Sequence, residues 1–384
     1  MGDLSPSFHP ANAQIKAVIF DLDGTLLNTE QVTEGILKEF LARYGKVQDK
    51  EKENRRTGMT QKETVSAILK DYDLPLTPEE FTQGIMPLYQ GMWLKAKALP
   101  GANRLMMHLH KHGVPLALAS NSLRTNIDVK ISYQQGWKDY FTVILGSDQV
   151  KSGKPSPDMF LEAANRMGVQ AADCLVIEDS LVGVKAGKAA GMHVVAVPSL
   201  QIERDQFSIA DSVIHSLLEF QPQLWGFPPF GDWICNALPI EPIYVRGMYC
   251  SGLLHELSDD GPFLPNQVQG LYFGWARTDV QKIVKIVISV AWEHKCCSSR
   301  RKIHAVIING SNEKVYDKEM QLLIVGFIRG SSYMGNANKL EILDEDKFIA
   351  DAALDLAEYF HDACESLFPE FPVKDNIATE EQQK

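Results

Sequence analysis

The chain has 384 residues, a formal net charge of −11 and 45% hydrophobic residues. This length allows two domains with cores of their own. The acidic balance argues against nucleic acid or an anionic membrane surface as a partner. Six cysteines without a Cys-x-x-Cys pair or zinc spacing are typical of reduced thiols in an intracellular protein. No secretory signal and no apolar run of membrane-spanning length is visible, so we expect a cytoplasmic protein.

An acidic motif follows the first apolar run. The run Val18–Phe20 predicts a strand that is buried on both faces, and Asp21 and Asp23 come directly after it. Gly24 then allows a tight turn. Chemistry in α/β sheets gathers beyond the carboxyl ends of strands. Two acids this close repel each other unless a cation lies between them, so the motif predicts a Mg²⁺ site. The alternative is an ordinary turn, where aspartate is common.

Residues 30–97 show apolar residues at helical spacing and no strand-like run, which predicts a small helical cap inserted after the first strand. Beyond it, apolar runs alternate with helical stretches, a pattern that predicts βαβ units and a parallel sheet. The predicted strands are 114–119, 141–145, 174–177 and 193–197, and the predicted helices are 102–112, 123–135, 157–167 and 181–190. A last unit runs through 211–214 into a helix ending near Phe220.

The second half of the chain has a different pattern. Residues 221–242 are rich in proline, tryptophan and glycine and predict a linker that packs rather than a freely moving one. Apolar and β-branched runs then follow without helices between them, which predicts an antiparallel β domain over 243–370. The runs are 268–276, 282–291, 303–308 and 321–328. A helix is predicted over about 346–366, and a polar, disordered tail over 371–384.

Four polar motifs stand at the ends of predicted elements in the first half. They are Asp21-x-Asp23-Gly24-Thr25, Ser120-Asn121, Lys154-Pro155 and Glu178-Asp179. Each alone has an ordinary explanation, such as a strand-end cap, a surface lysine or a helix N-terminus where acids suit the dipole. Together and in this order, they resemble the haloacid dehalogenase superfamily of phosphatases, which carries its helical cap after the first motif. The resemblance covers residues 15 to about 215, and no motif is missing.

The resemblance implies a role for each catalytic position. Asp21 would be the nucleophile that forms an aspartyl-phosphate, and Asp23 would be the general acid and then the general base. Lys154 would hold the phosphoryl oxygens and restrain Asp21. Ser120 and the backbone around Asn121 would donate hydrogen bonds to the same oxygens.

The resemblance also implies Mg²⁺ as the cofactor. A phosphate monoester dianion repels an anionic nucleophile, so a carboxylate attacks only where a metal shares the charge. The metal ligands would be Asp21, the backbone carbonyl of Asp23, Glu178 and Asp179, an all-oxygen set that suits a hard cation.

The second half resembles the riboflavin kinase barrel over 269–276, 287–292 and 322–329. The order of the two parts resembles the family of plant bifunctional riboflavin kinase/FMN hydrolases, which implies FMN as the small-molecule phosphate ester. Residues 248–252 stand where that family has a glycine-rich loop, and no Pro-Thr-Ala-Asn follows before Gly270. His304 stands where the family has a glutamate base. These departures predict a degenerate kinase half.

Two other interpretations stay open at this point. One is a fully bifunctional enzyme in which both activities survive. The other is a phosphatase for a different small phosphate ester, joined to a barrel that binds flavin or forms dimers without catalysis. Residues 57–60 are either a cap loop that faces the site or a helix-breaking turn. The basic stretch 295–302 is predicted to be a solvated hairpin loop.

Overall fold

A computed structural model describes residues 15–56, 59–198, 204–257, 264–278, 283–295, 298–308, 318–330, 340–356 and 368. The chain divides into two compact units. The first comprises Met1–Gly231 together with Pro265–Gln269, and the second comprises Asp232–Leu264 together with Gly270–Lys384. The short segment 265–269 therefore belongs to the first unit, although its neighbours in the sequence on both sides belong to the second. No helix among the described residues is long and apolar enough to cross a membrane.

The first unit is built on a parallel sheet of six strands. They are β1 (Ala17–Phe20), β2 (Leu116–Ala119), β3 (Val143–Leu145), β4 (Cys174–Glu178), β5 (His193–Ala196) and β6 (Ser212–Val213). Their order across the sheet is β3-β2-β1-β4-β5-β6, and every neighbouring pair is parallel. All four residues of β1 are buried, because helices cover both faces of the sheet. The predicted α/β class is confirmed.

The cap consists of five helices that follow β1 along the chain. They are α1 (Thr29–Val32), α2 (Ile36–Ala42), α3 (Lys50–Asn54), α4 (Gln61–Tyr72) and α5 (Pro78–Trp93). The two longest begin with a capping box, in which Thr60 pairs with Glu63 and Thr77 with Glu80. Their apolar stripes form a separate small core, where the rings of Phe40 and Phe81 meet edge to face at 5.1 Å.

The core helices lie on either face of the sheet. They are α6 (Ala102–Lys111), α7 (Arg124–Ser132), α8 (Trp137–Tyr140), α9 (Asp158–Met167) and α10 (Leu181–Ala189). Side chains from α6, α7 and α8 pack with Val18 and Phe20, whereas those from α9 and α10 pack with Ala17 and Ile19. The predicted helix before Phe220 is only a 3₁₀ turn, Leu217–Glu219, whose first two residues are buried.

The stretch predicted as a linker is structured along much of its length. Pro222–Trp225 forms a 3₁₀ turn, and Trp225 and Phe227 are buried in the core of the first unit. A strand begins at Leu238, inside the predicted linker and despite two prolines. The register of this strand against its partner shifts between Ile243 and Pro239, which accommodates prolines that cannot donate to the ladder.

The second unit is a closed antiparallel barrel with a helix, as predicted. Its elements are β7 (Leu238–Cys250), β8 (Leu253–Glu256), β9 (Gly270–Thr278), β10 (Ile283–Lys295), β11 (Ser298–Ile307), β12 (Lys318–Arg329) and α11 (Asp344–Ala353). The strand order is β10-β11-β8-β7-β12-β9. Sequence patterning missed β7 and β8. Helix α11 begins two residues before its predicted start and ends at Ala353. The predicted continuation over 357–366 and the predicted tail over 371–384 lie outside the described residues.

Candidate active site

Three buried carboxylates meet at the carboxyl ends of the two central strands. Strands β1 and β4 are neighbours, with Phe20 opposite Ile177, so the next residues, Asp21 and Glu178, come side by side. Asp179 follows directly. The exposed fractions of Asp21, Glu178 and Asp179 are 7%, 0% and 6%. Charges this deeply buried are costly unless they are paired or hold a cation.

Lys154 lies among these carboxylates and is only 4% exposed. Its Nζ donates to Asp21 Oδ1 at 2.5 Å, to Glu178 Oε1 at 2.7 Å and to the Ala119 carbonyl at 2.9 Å. Asn121 holds the lysine's backbone, accepting from the Lys154 N–H at 2.9 Å and donating to its carbonyl at 3.3 Å. The second and third predicted motifs are thereby joined, and Lys154 restrains Asp21 as the resemblance implies.

The cluster carries more negative charge than Lys154 balances. Burial raises the pKa of Asp21 to about 8, although the positive charge of Lys154 lowers it. The negative charges of Glu178 and Asp23 raise it further. Burial, together with Glu30 and Glu178, holds the pKa of Asp179 well above its usual range. Burial lowers the pKa of Lys154, but Asp21 and Glu178 outweigh it and leave that pKa above its usual value. A further cation would relieve this imbalance.

The oxygen donors at the cluster fit a hard divalent cation. Gly24 has φ +86°, and a Cβ there would lie 2.3 Å from Asp179 Oδ2, so only glycine lets the turn approach this carboxylate. Thr25 Oγ1 donates to Asp179 Oδ1 at 3.0 Å and orients it. Asp21, Asp179 and the Asp23 carbonyl are therefore the groups that would hold the metal.

Glu178 is engaged at both carboxylate oxygens. Oε1 accepts from Lys154, and Oε2 accepts from Ser180 N and Oγ at 2.8 and 2.9 Å. A Cβ on Gly183 would collide with it at 1.6 Å, so a glycine in the first turn of α10 makes room for this side chain. Although three carboxylates meet here, no three acidic, histidine or cysteine side chains in the described part of the chain are arranged so that they could hold a metal ion by themselves. Direct ligation by Glu178 stays a prediction.

Asp23 has partners that sequence patterning did not identify. Lys130 Nζ lies 2.7 and 2.8 Å from its two oxygens, Thr29 Oγ1 donates at 2.6 Å, and Ser122 Oγ donates at 2.9 Å. Ser120 Oγ donates to the same carboxylate at 3.3 Å. Burial tends to raise the pKa of Asp23, but Lys130 and these hydrogen bonds outweigh it and lower that pKa.

A signal for Lys130 is present in the sequence. Asn126 and Lys130 are four residues apart, so they share one face of α7. They stand beside Ile127 and Ile131, which are fully buried. A lysine next to the apolar stripe of a helix that follows a motif is a candidate for a buried, paired cation.

The site opens into a cavity of about 310 Å³ between the sheet edge and the cap. Apolar and aromatic side chains from α4 and α5 form its cap wall: Ile68, Phe81, Ile85, Met86, Tyr89 and Trp93. The rings of Tyr89 and Trp93 stack with centroids 6.5 Å apart. Asn126 Nδ2 donates to Gln61 Oε1 at 3.0 Å and ties α7 to the cap. Met59 also lines the cavity, while residues 57 and 58 lie outside the described residues.

The barrel residues that the sequence analysis compared with a riboflavin kinase lie at a hairpin and on a strand. Strands β7 and β8 are joined by the two residues Ser251 and Gly252, with φ +50° and +88°, in a tight hairpin. His304 is exposed between the buried residues Ile303 and Ala305 of β11. Tyr272, Phe273 and Trp275 are buried in the barrel.

Comparison with known proteins matches the two halves of the chain to two different families. A family model of haloacid dehalogenase-like hydrolases matches residues 15–191, and one of riboflavin kinase matches residues 256–352. The chain is 44% identical over 355 residues to an Arabidopsis thaliana protein named bifunctional riboflavin kinase/FMN phosphatase, covering 89% of this chain and 94% of that one.

Two further similar proteins each match about half of this chain. A probable pseudouridine-5'-phosphatase of Drosophila melanogaster is 36% identical over 219 residues, or 56% of this chain and 95% of that one. A crystal structure of a haloacid dehalogenase hydrolase, family IA, variant 3, from Entamoeba histolytica is 25% identical with a TM-score of 0.50. The match covers 55% of this chain and 98% of that structure.

Proposed function

Since the chain belongs to the family of bifunctional riboflavin kinase/FMN phosphatases, we propose that its first unit hydrolyses FMN to riboflavin and inorganic phosphate. This unit is a haloacid dehalogenase-like phosphoric monoester hydrolase. The observation that carries the FMN proposal is the aromatic and apolar cap wall facing the carboxylate cluster. A flavin phosphate combines a large flat ring with a dianionic end, and the cavity offers a surface for each.

The reaction proceeds in two steps at the cluster. Asp21 attacks the phosphorus and forms an aspartyl-phosphate, while Asp23 protonates the departing ribityl oxygen. Water then attacks the phosphorus of the aspartyl-phosphate and gives a proton to Asp23, while the bond from the Asp21 oxygen to phosphorus breaks, which releases phosphate and regenerates the Asp21 carboxylate. Lys154 and Ser120 stabilise the phosphoryl oxygens. Asp21, Asp179 and the Asp23 carbonyl would hold Mg²⁺, which would neutralise charge on the phosphoryl group.

A panel of phosphate esters tests the substrate. Purified protein with Mg²⁺ is assayed for phosphate release from FMN, pseudouridine 5'-phosphate and glycerol 3-phosphate. An extended aromatic ring can stack on the cap wall, so we expect the highest kcat/KM for FMN. A preference for glycerol 3-phosphate or pseudouridine 5'-phosphate would reject FMN as the substrate while leaving the phosphatase assignment intact.

The cap wall gives a prediction for Tyr89. Tyr89→Ala is expected to raise the KM for FMN roughly 3- to 10-fold, because one aromatic stacking contact is lost. The KM for glycerol 3-phosphate should change less than that for FMN, since this ester has no ring to stack. Tyr89→Phe keeps the ring and serves as the matched control, with a KM near that of the unaltered protein. Equal shifts for both esters would contradict ring recognition at this wall.

Metal dependence gives a prediction with a defined pH trend. The folded-state pKa of Asp21 is raised from 3.8 to about 8. Without a cation, the protonated Asp21 carboxyl group therefore stabilises the fold at low pH. This contribution to the free energy of unfolding is lost as the pH rises through about 8. Mg²⁺ replaces the proton at the carboxylates. We expect the rise in Tm on adding Mg²⁺ to be larger at pH 8 than at pH 5, measured by thermal unfolding against a chelator control. An equal rise at both pH values would contradict the trend.

We also propose that the barrel does not phosphorylate riboflavin. Kinases transfer phosphate mainly by positioning the nucleotide and neutralising its charge. The hairpin at Ser251–Gly252 leaves no loop between β7 and β8 to cradle phosphates, and no Pro-Thr-Ala-Asn motif follows it. The riboflavin kinase match begins at residue 256, after this hairpin.

The kinase proposal is best tested where hydrolysis is silenced. The Asp21→Asn variant is incubated with riboflavin and MgATP, and FMN is measured by chromatography against a reaction without protein. No FMN above this control is expected. Steady FMN formation would show that the barrel is a working kinase and that both activities of the family are present.

A further inference from the structure

A short segment that lies between two barrel strands in the sequence belongs to the first unit. Residues 265–269 separate β8 from β9 along the chain, yet they are grouped with the first unit. The segment contains a tight turn in which the Val268 N–H donates to the Pro265 carbonyl at 3.0 Å. Val268 is fully buried and Gln267 is only 6% exposed. The segment is therefore an integral part of the first unit.

The buried side chain of Gln267 contacts the catalytic turn. Its Nε2 donates to the Gly24 carbonyl oxygen at 2.8 Å, a hydrogen bond between residues 243 positions apart. Gly24 follows Asp23 directly. A buried carbonyl without a partner is costly, so this bond favours one orientation of the peptide between Gly24 and Thr25.

The orientation of the Gly24–Thr25 peptide affects how the turn contacts the Asp179 carboxylate. A Cβ on Gly24 would lie 2.3 Å from Asp179 Oδ2, so the turn already touches this carboxylate. Thr25 Oγ1, at the other end of the same peptide, donates to Asp179 Oδ1 at 3.0 Å. Rotation of the Gly24–Thr25 peptide changes the backbone torsions of both flanking residues, so it would shift the Thr25 hydroxyl and disturb the turn that follows Asp23.

We propose that Gln267 is a positioning residue for the phosphatase, holding the Gly24 turn so that Asp23 and Asp179 keep their places beside Asp21. Gln267 is absent from the described residues that line the cavity, so it acts through the turn and not on the substrate. The assignment of a reaction to this site rests on the proposed function. The consequence is that the phosphatase depends on a residue far outside the part of the chain that carries its motifs.

The test uses full-length variants and two substrates. Gln267→Leu keeps the bulk of the side chain without the donor, and Gln267→Glu keeps its shape but faces the Gly24 carbonyl with an acceptor. For each variant, we expect kcat to fall about tenfold or more with KM changed less than twofold, because a misplaced turn slows chemistry without weakening binding. Gln223→Leu, which alters an exposed glutamine of the same unit, is the control and should leave kcat unchanged.

The outcomes test the positioning role of Gln267 separately from the proposal that FMN is the substrate. The fall in kcat should be the same for FMN and for p-nitrophenyl phosphate, so the result stands even if FMN proves a poor substrate. Thermal unfolding of each variant is recorded in parallel. Unchanged kcat in folded variants would overturn the proposal, and so would a loss that appears only with unfolding in both variants or that appears in KM rather than kcat.

Discussion

Asp21→Asn is expected to abolish phosphate release, with kcat reduced roughly 10⁴-fold or more, as is typical when a nucleophile is removed. The amide is similar in size to the carboxylate but does not form the aspartyl-phosphate. The fold should survive, because burial already disfavours the charged form of Asp21 and raises its pKa to about 8. In the absence of metal, the variant should unfold at the same temperature as the unaltered protein or higher.

A matched substitution separates this effect from a general effect of losing a carboxylate. Asp128 on α7 is 42% exposed in its side chain and pairs with Arg124 at the surface. Asp128→Asn should keep phosphate release within about twofold of normal, since surface ion pairs contribute little. An Asp21→Asn protein that retains a tenth of its kcat would remove Asp21 from the role of nucleophile.

Lys154→Met is expected to impair both stability and catalysis. The Lys154 side chain is 2% exposed and pairs with Asp21 and Glu178 at 2.5 and 2.7 Å. Removing one partner leaves two buried carboxylates together, which should lower the free energy of unfolding by about 3–5 kcal/mol. Phosphate release should fall about 10²- to 10³-fold, since a preorganised cation beside the phosphoryl group is lost. Urea unfolding without metal and steady-state kinetics with Mg²⁺ measure the two effects.

The stability loss should depend on pH. Without the ammonium the pKa of Asp21, which burial already raises to about 8, rises further, so a proton stabilises the folded variant at low pH and is lost as the pH increases. The destabilisation should therefore be smaller at pH 5 than at pH 8. Lys188→Met is the control, since Lys188 pairs with Asp211 at 2.7 Å but is 33% exposed. A Lys154→Met loss no larger than that of the control would contradict a charge-balancing role.

Residue patterns along the chain predicted the architecture of both units. Apolar runs that alternate with helical stretches indicate a parallel sheet, because the spacing of apolar residues shows which face of each strand or helix is buried. The same reasoning failed at β7, which contains two prolines that weaken the strand signal and is accommodated by a register shift. It also failed at 217–219, where a buried 3₁₀ turn showed the apolar residues expected of a helix.

The order of four motifs was sufficient to predict the core of the site. Each motif follows a strand or lies in a loop at the same edge of a parallel sheet. Strand order places Asp21 beside Glu178, and the loop after β3 brings Lys154 to both. The sequence also predicted a degenerate kinase half, which stays a prediction. The structure shows a tight hairpin at Ser251–Gly252, inside the stretch on which that prediction rests.

The sequence by itself determined the two-part architecture, the phosphatase family and which carboxylates are proposed for catalysis, because these depend on local periodicity and on motifs in a known order. Only the tertiary structure decided which side chains surround those carboxylates. Lys130 reaches Asp23 across 107 residues, and Gln267 reaches Gly24 across 243. The aromatic wall of Tyr89 and Trp93 likewise faces the site only through the packing of the cap. The helix pattern around Lys130 marks it as a candidate buried cation but does not identify its partner, because contacts at such separations depend on how folded elements pack.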